Sequence, residues 1–201
     1  MTITKIVPYE HAKGKVQVCF DNSQTLVLYK GELQKFGLTE QALLGEELYR
    51  KLYYEVVGKR AIKRAMHLLE KMDRTEGQLR EKLKEGGYPE DLIEQAVAYV
   101  KSYHYIDDDR YARTFVRLNQ ERKSAARMKA DLLAKGINAD VIACAIEEEM
   151  EISPETLIQN LLNKKHFDPE QASQKETAKM YQFLLRRGFH GSEIMHVLKN
   201  D

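Results

Sequence analysis

The chain has 201 residues, 43% of them hydrophobic and 31% charged, with a formal net charge of +1. That balance predicts narrow apolar stripes under a heavily ionic surface rather than one thick core. No run of about 18 apolar residues is present to span a membrane, and "MTITKIVPYE" lacks the pattern of a secretory signal. The two distant cysteines, Cys19 and Cys144, argue against a disulfide scaffold or a cysteine zinc site and for the reducing cytoplasm.

Residues 3 to 29 read as a small antiparallel β-unit. In "VQVCF", Val16, Val18 and Phe20 alternate with Gln17 and Cys19, the period of a half-buried strand. "TLVLY" is a second short strand, and Asp21, Asn22 and Ser23 are turn formers between the two. A lone two-stranded hairpin is marginal in water, so "ITKIV" is the candidate third strand. After Gly31 the chain turns helical. "GELQKFG" makes one short helical stretch ending at Gly37. From Gly45 to Met72 the residues Leu48, Leu52, Val56, Ile62, Ala65, Leu69 and Met72 keep helical spacing, with Gly58 as the candidate break into two helices.

One phrase then occurs three times: "LKEGGYPEDLIEQAV" (83–97), "LLAKGINADVIACAI" (132–146) and "LRRGFHGSEIMHVL" (185–198). Aligned on Gly87, Gly136 and Gly188, the copies lie 49 and 52 residues apart. Four residues before each glycine stands Leu83, Leu132 or Leu184, and eight before stands Leu79, Met128 or Met180. That is one helical stripe running into a left-handed glycine cap, followed by an apolar contact from Tyr88, Ile137 or Phe189. A new apolar period follows, through Ile93 and Val97, Ile142 and Ile146, or Ile194 and Leu198.

Start signals complete each unit. Thr75 with Gln78 reads as a capping box. Asp107 caps a helix expected to reach Arg122, and Ser124 caps its successor. Ser153 precedes Pro154, and Asp168–Pro169 repeats that signal. The expected architecture is mostly α: a β-containing leader with a helix over 1–58, then tandem three-helix repeats over 59–105, 106–152 and 153–201. Their helices are expected to run about twelve to sixteen residues, in an array whose units bury apolar stripes partly against their neighbours.

Enzymatic signatures are absent. The run Asp107 to Asp109 cannot converge on one metal ion from a single helix, whose successive residues point about 100° apart, whereas acids suit a helix start. The histidines His11, His67, His104, His166, His190 and His196 include no i, i+4 pair and have no cysteine nearby. There is no phosphate-cradling glycine loop and no nucleophile elbow. No cofactor or metal is expected.

Charge is segregated. Between Arg110 and Lys135 eight bases face two acids, and between Ala139 and Glu155 six acids face no base. Two readings stay open: solvated faces that pair with each other, or a functional basic surface. Arg110, Arg113 and Arg117 share one helical face, with Tyr111, Phe115 and Leu118 on the other side for packing. Arg122, Lys123 and Arg127 follow across the turn. Lys135, Arg186 and Arg187 stand at helix C-termini, where cations also complement the macrodipole.

Three stretches resemble the RecX family of regulators that bind RecA recombinase. "RTEGQLREKLKEGGY" (74–88) is similar to one family segment, with Gln78 where glutamate is usual. "YIDDDRYARTFVRLNQERKSAARMKADLLAKGI" (105–137) carries the strongest likeness, with Asp109 where glutamate is common and Ser124–Ala125–Ala126 where a glycine is frequent. "YQFLLRRGFHGSEIMHVL" (181–198) is similar to the family's closing phrase. The resemblance covers about residues 60 to 199 and implies tandem three-helix repeats without catalytic activity. It implies a curved array lying in the helical groove of the RecA filament on single-stranded DNA. Such an array would limit extension or destabilise the filament, damping recombination and the SOS response. Some relatives act in the opposite sense or bind DNA themselves. Carried onto this chain, the family's basic surface points to Arg110, Arg113, Arg117, Arg127, Lys135, Arg186 and Arg187 as filament or DNA contacts, with Tyr111, Phe115, Gly136 and Phe189 in packing. The chain is expected to be monomeric, and the competing expectation is an autonomous DNA-binding module.

Overall fold

A computed structural model describes residues 1–10 and 13–199 and divides them into two compact units, Met1–Asp107 and Asp108–Asp201. His11, one of the six histidines, lies outside the described residues.

The first unit opens with strands β1 (Ile3–Pro8), β2 (Lys15–Phe20) and β3 (Thr25–Tyr29), an antiparallel sheet in the order β1-β2-β3. The third strand is therefore "ITKIV" extended by one residue, Pro8. Val16, Val18 and Phe20 all point to the buried face, as the alternation predicts. They meet Leu26 and Leu28 of β3 there, in register Val16↔Leu28 and Val18↔Leu26. Helix α1 (Lys30–Phe36) ends on Gly37 in the left-handed region at φ 62°.

Gly58 does not break the next run. Helix α2 (Glu46–Arg50), a π-helical stretch (Lys51–Gly58) and α3 (Lys59–Lys71) follow one another without interruption. Gly58 itself is right-handed helical, at φ −62° and ψ −50°. A Cβ there would lie 3.4 Å from Leu92 Cδ2, so the glycine lets this helix approach its neighbour closely. Helices α4 (Glu76–Glu85) and α5 (Glu90–Ser102) complete the first repeat. One continuous core joins sheet and repeat: Ile3, Val18, Leu28, Leu52, Ala61, Leu79, Leu83, Leu92 and Val97 belong to a single buried cluster.

The second unit holds α6 (Asp108–Asn119), α7 (Ala125–Leu133) and α8 (Ala139–Glu149), then α9 (Pro154–Lys164), α10 (Gln174–Arg186) and α11 (Gly191–Lys199). The repeat helices run nine to thirteen residues, shorter than expected. Helix α6 stops at Asn119 rather than Arg122. The Asn119 side-chain amide bonds the Phe115 carbonyl, and the Asn119 carbonyl accepts the Arg122 and Lys123 N–H groups in a turn.

Helix α10 starts at Ser173, not at Asp168–Pro169. Asp168 instead accepts the Glu170 N–H at 3.0 Å and closes a turn. Ser173 forms a capping box with Glu176. The caps Thr75, Ser124 and Ser173 thus lie 49 and 49 residues apart. The three extra residues that move the last glycine to a spacing of 52 lie inside α10, lengthening it by about 4.5 Å.

Gly87, Gly136 and Gly188 all sit at positive φ, 79°, 82° and 86°. Each ends its helix with the same pair of bonds. The glycine N–H reaches Lys84, Leu133 or Leu185, and the N–H of Tyr88, Ile137 or Phe189 reaches Leu83, Leu132 or Leu184. Those three residues after the glycine are buried. The stripes differ in detail: Met180 and Ile146 are only half-buried, and Ala145 takes the buried place beside Ile146.

Repeats two and three do not share one core. Ala112, Val116, Met128, Leu132, Ile137, Ile142 and Ala145 form one cluster, and Leu157, Ile158, Leu161, Leu162, Leu184, Phe189, Ile194 and Leu198 another. Their junction is polar. The buried Ser124 hydroxyl accepts the Arg127 N–H at 3.2 Å and donates to the Gly188 carbonyl at 2.7 Å, with the Arg187 carbonyl at 3.0 Å. Arg187 Nη1 bonds the Arg122 carbonyl at 2.8 Å.

A Cβ on Gly188 would fall 2.6 Å from Ser124 Oγ and 3.0 Å from Arg127 N. On Gly37, equally left-handed, it would meet nothing within 4 Å. Gly37→Ala should therefore cost only the left-handed strain, about 1–2 kcal/mol, and Gly188→Ala measurably more. Chemical denaturation of the two variants checks this, and equal losses would show that the junction yields without cost.

Candidate interaction surface

Helix α6 carries two differently occupied flanks. On one, Arg113 donates through Nε to Asp109 at 2.7 Å and pairs through Nη1 with Glu148, while Glu149 stands 3.7 Å away. Arg117 Nε lies 2.9 Å from Glu149. The acidic run of α8 thus neutralises part of the basic run of α6, so for these two residues the pairing of opposite faces is realised. Arg113 keeps only 23% of its side chain exposed, whereas Arg117 keeps 57%. Asp109 and Glu148 together hold the Arg113 guanidinium well above its ordinary range.

On the other flank the aromatic residues of α6 carry cations. Lys123 Nζ lies 4.9 Å from the centroid of Phe115, and Lys135 Nζ lies 5.8 Å from that of Tyr111. Ala112 and Val116 are the fully buried residues of this helix, and Tyr111 and Phe115 are half-buried. Leu118 is not a packing residue, being 73% exposed. Its position sits beside Arg117 on the outer edge, because the buried stripe runs through 112 and 116.

Arg127 and Lys123 both reach Asp131, at 3.2 and 2.9 Å. Arg187 is held between the Arg122 carbonyl and the Phe183 ring, 4.6 Å from its centroid. Arg110 and Arg186 are exposed. The seven basic candidates are therefore dispersed over α6, α7, the α7–α8 turn and the end of α10 within one unit, and they do not converge on a cleft. Among the described residues no three His, Cys, Asp or Glu side chains gather to hold a metal ion, and no helix is long and apolar enough to cross a membrane.

A denser basic site lies in the first unit, where no charge run marks it in the sequence. Lys15 of β2, Arg64 of α3 and Lys82 and Glu85 of α4 line a cleft of about 490 Å³ together with Tyr29, Gly86 and Tyr88. Lys15 Nζ donates to the Gly86 carbonyl at 3.0 Å and stands 5.5 and 5.4 Å from the Tyr29 and Tyr88 ring centroids. Arg60 approaches the same rings, 4.9 Å from the centroid of Tyr29 and 5.9 Å from that of Tyr88. It forks onto Glu32 at 2.8 and 2.9 Å and donates to the Val27 carbonyl at 2.6 Å. The residues come from three segments far apart in sequence, so only the docking of sheet on repeat brings them together.

Consecutive three-helix units behind a small antiparallel sheet define a mostly helical repeat protein. Comparison with known proteins gives its family. Three family models match in order: the first three-helix domain of RecX over residues 61–99, the second over 107–146 and the third over 155–198. The "Regulatory protein RecX" of Actinobacillus pleuropneumoniae serotype 5b is 32% identical over 142 residues, 70% of this chain and 92% of that protein. That of Clostridium acetobutylicum is 27% identical over 205 residues, covering 98% and 95%. A crystal structure of regulatory protein RecX matches all of this chain and 99% of its own, at 24% identity and a TM-score of 0.61. The chain belongs to the RecX family of regulatory proteins.

Glu148 is held below the ordinary glutamate value of 4.5, first by Arg113 and then by the Cys144 thiol. A carboxylate with a lowered folded pKa contributes stability above its unfolded value, and loses it as pH falls through the folded one. The second unit should therefore lose stability on acidification below about 4.5. Arg113→Gln should reduce stability at neutral pH and flatten that acid loss. Melting curves across this range check it, and parallel pH profiles would remove the ion pair from the account.

Proposed function

We propose that the chain is a non-enzymatic, cytoplasmic regulator that binds the RecA filament on single-stranded DNA as a monomer. It limits filament extension or activity and so modulates recombination and the SOS response. The observation that carries this reading is the ordered match of all three RecX three-helix domains. The distribution of charge supports it. Arg110 and Arg186 are exposed, and Arg117 and Arg127 keep more than half of their side-chain surface beside single acidic partners. Rim pairs of this kind cost little to exchange for a polyanionic or acidic partner surface. Lys135 serves the same contact from the turn above Tyr111. Arg113 and Arg187 act from behind, holding α6 to α8 and repeat three to repeat two.

The test is DNA-dependent ATP hydrolysis by the cognate RecA on single-stranded DNA, with this protein added at well below one per RecA. Hydrolysis should fall at those ratios, because a regulator of the polymer acts on many subunits at once. Arg117→Glu combined with Arg186→Glu should weaken the effect about tenfold, the order expected when two rim charges are reversed, with helical content unchanged. No effect at any ratio, together with salt-sensitive binding to bare DNA, would replace this reading with the autonomous DNA-binding module.

A further inference from the structure

The cleft in the first unit is lined by three bases, Lys15, Arg64 and Lys82, and one acid, Glu85. Several half-buried bases elsewhere are neutralised in place: Arg60 by Glu32, Arg80 by Glu76 and Glu94, Arg113 by Asp109 and Glu148. In the cleft, Lys82 pairs with Glu85 at 2.7 Å. Among the described residues neither Lys15 nor Arg64 has an acidic partner within 4.0 Å. Lys15 is half-buried between two tyrosine rings. Burial first, then repulsion from Arg60 and Arg64, holds its ammonium below the ordinary lysine range. An anion in the cleft would relieve both penalties at once.

The shape of the site narrows the anion. Donors arrive from three elements, the sheet, α3 and α4. Three directions of approach suit the tetrahedral oxygens of a phosphate better than the plane of a carboxylate, which one guanidinium reads alone. Tyr29 keeps 43% of its surface exposed at the mouth, while Tyr88 is buried beneath. An exposed ring beside phosphate donors is the arrangement on which a nucleobase stacks. The volume, about 490 Å³, falls within the usual range for small-ligand sites.

We propose that this cleft binds a nucleotide unit, its phosphate held by Lys15, Arg64 and Lys82 and its base stacked on Tyr29. The unit is either a free nucleotide or one residue of a single strand. The site is separate from the filament reading, because its test contains no recombinase.

Calorimetric titrations of the full chain with inorganic phosphate, thymidine monophosphate and oligoglutamate, and anisotropy with a labelled oligothymidylate of about ten nucleotides, test it. Thymidine monophosphate should bind about tenfold more tightly than inorganic phosphate, the order one base–tyrosine stack provides. Arg64→Gln, at an exposed position, should weaken every phosphate ligand about tenfold without changing the melting curve. Tyr29→Leu should weaken the nucleotide ligands and spare inorganic phosphate. Equal affinity per nucleotide for the monophosphate and the oligomer assigns the site to free nucleotide, and binding of the oligomer alone assigns it to a strand. Three outcomes overturn the proposal: no phosphate ligand binds at millimolar concentration, oligoglutamate binds as well as the nucleotides, or Arg64→Gln leaves all affinities unchanged.

Discussion

The structure depends on a helix end used three times. A left-handed glycine stops the second helix of each repeat, and the next residue turns inward and is buried. The two backbone bonds that close this end satisfy carbonyls the helix would otherwise leave open. They also set the angle at which the third helix returns, so that Leu83 and Ile93, Leu132 and Ile142, or Leu184 and Ile194 share one core. The same turn is a contact surface. Gly87 has Val27 and Tyr9 where its side chain would be, and Gly188 has Ser124 and Arg127. The glycines of repeats one and three thus serve two constraints together. The backbone needs the left-handed region, and a neighbouring element needs the space. One carries the sheet and the other carries the preceding repeat.

Charge obeys a second constraint, that a half-buried base finds an acid, a ring or a backbone carbonyl, as Arg74 does on Leu68. Arg80, Arg60 and Arg113 find acids, and Arg187, Lys123 and Lys15 find aromatic faces. The net charge of +1 is the sum of these internal cancellations and says little about any one surface. The basic run of α6 and α7 looks like a single binding stripe in one dimension. In three dimensions it divides into residues that hold helices together and residues that remain at the rim.

The parts legible in the sequence were those set by local rules. The alternation in β2, the caps Thr75 and Ser124, and the glycine ends are each a few residues long and have one physical solution. Ser173 follows the same rule and lies 49 residues after Ser124, but the Asp168–Pro169 signal set the expected helix start too early. Gly58 and Leu118 were misread because both depend on a neighbour. The first is helical so that Leu92 can approach it, and the second is exposed because the stripe of α6 runs through alanine and valine rather than through the larger residues. The cleft of Lys15, Arg64 and Lys82 carries no local signal, since three lone bases in separate elements look like ordinary surface until the sheet docks.

The two units are built with different stiffness. In the first, sheet and repeat share one apolar cluster, and separating them would expose Ile3, Val18, Leu28 and their partners to water together. Burial of that kind is non-directional and cooperative, at about 25 cal/mol per Å². In the second, each repeat closes its own small core. The bonds between them include a serine hydroxyl on a glycine carbonyl and an arginine on a carbonyl. Such bonds are directional and each contributes only about 1 kcal/mol net, so the junction defines a geometry without matching the resistance of a continuous core. Low-cost opening is drawn from contacts of this type rather than from packed cores. In the second unit, therefore, directional bonds define the boundary between repeats two and three, whereas in the first a shared core holds sheet and repeat.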